Sequence, residues 1–168
     1  YPTPPGVNSN PPSSLLNMMA VTLLQQDSLL PLARQYAERA IRAGESIDEM
    51  YCPKFMSKVE FDMSNQEVYG IAHDTYGVIL RRMNKLDEAI DAFKKCEEIL
   101  GDATSGDMLE HQAEALAVAN KKPESIETMR RAIRTARALA PTVQRFKEFT
   151  QANGEKGDSE YKKLMEEA

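Results

Sequence analysis

Tryptophan is missing from this chain, and phenylalanine and tyrosine bring the aromatic share to only 7%. Nowhere do β-branched and polar residues alternate over the length of a strand, so the sequence predicts no sheet. No apolar run approaches the roughly 20 residues that a membrane-spanning helix requires, and no membrane insertion is expected. Basic residues are outnumbered, 21 against 26 acidic, for a net charge of −5. That balance lacks the positive footprint of a nucleic-acid binder. Histidine occurs twice, at 73 and 111, and cysteine twice, at 52 and 96, with no metal-binding or redox spacing between them. A glycine-rich phosphate loop, a zinc-binding His-Glu-x-x-His and a nucleophile elbow are also lacking. We therefore expect no catalytic residues, no cofactor and no metal.

What is plentiful is alanine, leucine and methionine, residues that lose little rotamer freedom in a helix. Residues 1–14 hold Pro2, Pro4, Pro5, Pro11 and Pro12 among Gly, Asn and Ser, and read as an extended lead-in or linker. Ser13 or Ser14 can cap a first helix running to about Gln26, and Asp27-Ser28 breaks it. Pro31 suits the first turn of a second helix, whose stripe is Leu32, Ala33, Tyr36, Ala37, Ala40 and Ile41, with Gly44 as its stop. Residues 45–63 read as an insertion. Ser46 and Glu49 form a capping-box pattern there, and Phe55, Met56, Val59, Phe61 and Met63 are expected to seal a gap in the core, with a lip beside a binding groove as the alternative.

Ser64-Asn65-Gln66-Glu67 repeats the capping box and predicts a helix to about Met83, paired with one over 87–100 that Gly101 ends. Thr104 to Asp107 caps a helix over 107–119, and Pro123 opens the next, which Pro141 stops or kinks. A shorter helix over 142–152 carries Val143, Phe146 and Phe149, and a final one Tyr161, Leu164 and Met165.

The centre of this pattern is residues 72–100. Tyr76, Gly77 and Leu80 share one helical face, and Leu86, Ala89, Ile90, Phe93 and Cys96 share another. Small residues sit where the two helices touch, and Cys96 takes one such place as a small hydrophobe. A shift of 36 residues lays Leu109, Gln112, Ala113 and Leu116 over the first helix, Ser125, Met129 and Ala132 over the second, and Asn120 over Asn84 in the turn. A further 34 puts Gly154 in that turn, but brings Lys147, Lys163 and Glu166 to positions expected to be buried.

The pattern resembles the tetratricopeptide repeat (TPR). His73, Tyr76-Gly77 and Leu80 stand for its W-x-x-L-G-x-x-Y, and Ala89, Phe93 and Cys96 for its A-x-x-x-F-x-x-A. The resemblance implies an all-α fold, an α-α superhelix of three to four hairpins. The units would be about 15–44, 65–101 and 107–140, with a degenerate capping unit at 141–168 and the insertion at 45–63.

It also implies a concave groove lined by the first helix of each hairpin. Carried onto this chain, the groove positions are Met18, Thr22 and Gln25, then Asp74, Val78, Arg81 and Arg82, then Glu110, Glu114 and Ala117. The Lys, Asn and Arg clamp that some members place around a chaperone tail carboxylate is not reproduced, and Asp74, Glu110 and Glu114 would repel an acidic tail. The expectation is a non-enzymatic scaffold that takes a polar or basic-containing segment of a partner protein or peptide. The alternative is an accessory helical domain of a larger, exported enzyme, thioredoxin-like or other, that positions or dimerises the catalytic domain. Homodimerisation and either compartment, exported or cytoplasmic, stay open. Both histidines are expected to be structural, although a His–carboxylate pair with Asp74 or Glu110 is conceivable. Arg130, Arg131, Arg134 and Arg137 are expected to be solvated, with Glu127 paired to Arg131.

Overall fold

The computed structural model describes residues 12–45, 52, 54–135, 140–152 and 157–167. Among them are eight α-helices, two short 3-10 turns and no strand: the fold is all-α. The helices are α1 (Ser13–Leu24), α2 (Leu30–Glu45), α3 (Lys58–Arg82), α4 (Leu86–Leu100), α5 (Gly106–Val118), α6 (Lys122–Arg134), α7 (Ala140–Ala152) and α8 (Gly157–Glu167). Each odd helix packs on the even one that follows it, and the hairpins meet through α2–α3, α4–α5 and α6–α7. The odd helices also touch in series, α1 with α3 and α3 with α5.

The core is divided in the same way. Ala20, Ala33, Ala37 and Ile79 join α1, α2 and α3. Leu80, Ala89, Ile90, Phe93, Ala115 and Leu116 join α3, α4 and α5. Leu109, Ile126, Met129, Phe146 and Leu164 join α5 to α8. Gly77 explains how closely α3 and α4 approach, since a Cβ there would lie 2.6 Å from the ring of Phe93, itself 3% exposed.

The turns after α3 and α5 are the same object. Asn84 and Asn120 both take φ of 60°, the left-handed conformation that asparagine tolerates better than most residues. In one turn the Lys85 N–H donates to the Leu80 carbonyl at 2.9 Å, and in the other the Lys121 N–H donates to Leu116 at 2.8 Å.

Several boundaries differ from expectation. Ser13 opens α1 without capping it; its hydroxyl donates to the Ala40 carbonyl at 2.8 Å and ties α1 to α2. Gly44 lies inside α2, where its missing side chain admits Tyr69. α3 starts at Lys58, because Ser57 and Glu60 form the capping box that the sequence reading assigned to Ser64 and Glu67. The last part of the supposed insertion is therefore helix. Phe55, Val59 and Met63 seal no gap: they are 89%, 67% and 65% exposed. In the last hairpin Leu164, one residue beyond the expected Lys163, is buried with Phe146 and Thr150. Lys147 holds its ammonium 4.9 Å from the Tyr161 ring, and Lys163 reaches Glu160 at 2.9 Å. Most of the proline-rich lead-in, the Ser46–Glu49 pattern, Arg137 and the Asn153-Gly154 loop lie outside the described residues.

Candidate functional site

Seven residues, two helical turns, separate Asp74 from Arg81 on α3, so both point from one face. On α5, Glu110, His111 and Glu114 form the facing set. The Asp74 carboxylate accepts from His111 Nδ1, with its oxygens at 3.0 and 3.1 Å. Arg81 pairs with Glu114 at 2.8 Å, and Arg145 of α7 reaches both Glu110 and Glu114. Asp74 and Glu110 are each 8% exposed. Carboxylates so buried require partners, because an isolated one pays a large desolvation cost. In this set three carboxylates meet two guanidiniums, and a proton on His111 balances it. Burial opposes that proton, while the hydrogen bond to Asp74 and the Asp74 and Glu114 charges favour it; despite Arg81, the imidazole titrates above its ordinary 6.5.

Asp74 also neighbours Cys96. A cysteine, a histidine and an aspartate in one region invite comparison with a nucleophile, its base and an orienting group. Here the thiol is buried against Met108 Sδ at 3.8 Å, and desolvation, aided by the Asp74 charge, pushes it up to about 12. A thiol protonated at neutral pH is a poor nucleophile. His73, the second histidine, packs edge-on against Tyr69 at 4.9 Å, and its pKa is lowered, first by burial and then by Lys95.

The residues assigned to a groove thus divide. Asp74, Arg81, Glu110 and Glu114 come together in one network across α3 and α5. Val78 and Ala117 lie half-buried on those helices, while Met18 and Thr22 are exposed on α1 and Gln25 just past its end. Arg82 turns away to the Leu24 carbonyl and Asp27, closing the α1–α3 junction. The acids are not an open repulsive surface; they are matched within the chain. Arg145 escaped the sequence reading, although it stands 35 residues after Glu110 on the next odd helix. The arginines of α6 are engaged, with one exchange: Glu127 pairs with Arg130 at 3.5 Å, and Arg131 reaches Glu97 of α4. Lys95 pairs with Glu98 at 3.0 Å.

Among the described residues no helix is long and apolar enough to cross a membrane, and no group of three His, Cys, Asp or Glu is placed to hold a metal ion. No family model, curated protein or solved structure matches the chain.

Proposed function

We propose that this chain is a non-enzymatic interaction scaffold built from TPR-like hairpins, and that it holds a segment of a partner protein along the face shared by α1, α3 and α5. The observation that carries this reading is the network on that face. It is ordered by cross-helix pairs, yet opens to solvent at His111 and Arg145, whose side chains are 36% and 45% exposed. A segment laid there meets fixed donors and acceptors without prior rearrangement of the helices, which lowers the ordering cost of binding. The matching turns at Asn84 and Asn120 support the hairpin repeat beneath it.

Exchanging Arg81 and Glu114 is a poor test, because it keeps their own pair while setting a guanidinium at 114 against Arg145 and so disturbs the network itself. A photo-crosslinking amino acid at Val78, at Ala117 or at Thr22, compared with one at the exposed Lys94 of α4, is direct. The expected result in native cells is a discrete protein adduct from the first three positions and none from Lys94. Adducts from Lys94 alone, or from no position, would overturn the reading.

A further inference from the structure

α3 is longer than any helix it packs on: 25 residues, against 16 in α2 and 15 in α4. Gly70 of α3 sits against Leu100, the last residue of α4, and Tyr69 against Gly44 near the end of α2. Residues 58–68 therefore project beyond both neighbours by about 16 Å at a rise of 1.5 Å per residue. The projection has a complete capping box at its start, Ser57 with Glu60. Phe61, Asn65 and Val68 are half-buried along it, whereas Val59 and Met63, four residues apart on one face, stand in solvent, with Phe55 four residues before Val59.

Beneath the projection lies a cleft of about 830 Å³. Glu60, Met63 and Glu67 form one wall, Ile99 and Leu100 at the end of α4 form the floor, and Asp102 stands opposite. Among the described residues that line it, three of twelve are acidic and none is basic. An apolar floor under a carboxylate rim repels an acidic ligand and a nucleic acid alike, and complements a cationic, amphipathic chain. Ser57 donates to the Glu60 carboxylate from its backbone N–H and its hydroxyl, which holds that group below its ordinary range.

We propose that the cleft between the α3 projection and the end of α4 docks a basic amphipathic segment of another protein, with its aliphatic side chains on Met63, Ile99 and Leu100 and its Lys or Arg residues against Glu67 and Asp102. Glu60 and Glu67 continue, at seven-residue steps, the α3 face that carries Asp74 and Arg81, so the cleft lies at the N-terminal end of that face and this inference rests on that reading.

The test is fluorescence anisotropy at physiological salt with the whole chain and two labelled synthetic peptides: an amphipathic helix of leucine and lysine, and its leucine–glutamate counterpart. The Lys peptide binds and the Glu peptide does not. Met63→Asp weakens binding at least tenfold, as does Glu67→Lys with Asp102→Lys, and that charge-reversed variant gains affinity for the Glu peptide. Lys162→Ala, on α8 and outside the cleft lining, leaves Lys-peptide binding unchanged. Failure of the Lys peptide to bind, or binding by both cleft variants equal to that of the unsubstituted chain, would overturn the proposal. NMR shift mapping on the unsubstituted chain removes dependence on the variants' folding: changes centred on Ile99, Leu100 and Ser105 support the site, and changes elsewhere sink it. Sedimentation of the chain alone checks the remaining occupant; self-association abolished by Glu67→Lys would assign the cleft to a second copy and overturn the present assignment.

Discussion

Phe93 and Gly77 are one packing decision made by two residues. The ring fills the space that the glycine leaves, and a Cβ at 77 would lie 2.6 Å from it. Phe93→Ala should cost about 3–5 kcal/mol in urea unfolding, the range for emptying an aromatic site in a core. Gly77→Ala gains up to about 1 kcal/mol of helix propensity but overpacks, at about 1–3 kcal/mol, so it should destabilise on balance. Together the two should cost less than their sum, since the added methyl enters the vacated volume; strict additivity would mean that they do not touch. His111 makes a second residue-scale prediction, in pH. Its folded pKa is raised above 6.5, so its contribution is fully present below 6.5 and is lost as pH rises through the folded value. His73 is shifted down, and its effect falls below 6.5, where acid costs stability. Urea midpoints from about pH 5 to 9, compared with Asp74→Asn, separate them: the decline above 6.5 should disappear in the variant.

At the scale of elements, the turns test the repeat most directly. Asn84 and Asn120 hold left-handed backbone, which costs a residue with an ordinary side chain about 1–2 kcal/mol. Asn84→Ala and Asn120→Ala should each lose about 1 kcal/mol, and the glycine variants should lose little. A response at one turn only would show that the two are not equivalent. These turns were legible in the sequence because the asparagines repeat at the hairpin spacing, and the facing sets around Gly77 and Phe93 were legible for the same reason. The start of α3 was not. Ser57–Glu60 and Ser64–Glu67 are two S-x-x-E patterns seven residues apart, locally equivalent, and only the observed cap distinguishes them. Ser57→Ala should release hydrogen-exchange protection over residues 59–63, whereas Ser64→Ala, inside the helix, should leave it intact. Arg145 was hidden for a different reason. The repeat frame brings Lys147, Lys163 and Glu166 to positions expected to be buried, so the whole unit looks degenerate, whereas the buried residue of α8 is Leu164, one place beyond Lys163.

For the molecule as a whole, the consequence of this architecture is that stability is distributed in series. Each core cluster is shared by adjacent hairpins, and none spans the chain from α1 to α8. Helical stacks of this kind behave nearly as one-dimensional systems, in which a local loss stays local when it falls at an end. Phe146 is fully buried in the terminal cluster with Leu109, Met129 and Leu164. Phe93 lies between two hairpins in the middle of the order. The two truncations remove the same ring and should cost a similar amount, about 3–5 kcal/mol, at their own sites. Their reach should differ. In Phe146→Ala, native-state hydrogen exchange should lose protection across α7 and α8 while α3 and α4 keep theirs, because the α3–α5 contacts do not involve the lost ring. In Phe93→Ala, protection should fall on both sides of the lesion, from α3 to α6, since each neighbour loses the face that it packed against. A uniform fall in every helix after Phe146→Ala would instead mean a single cooperative unit, in which the proposed binding at the α1–α3–α5 face and at the α3 cleft could not be uncoupled.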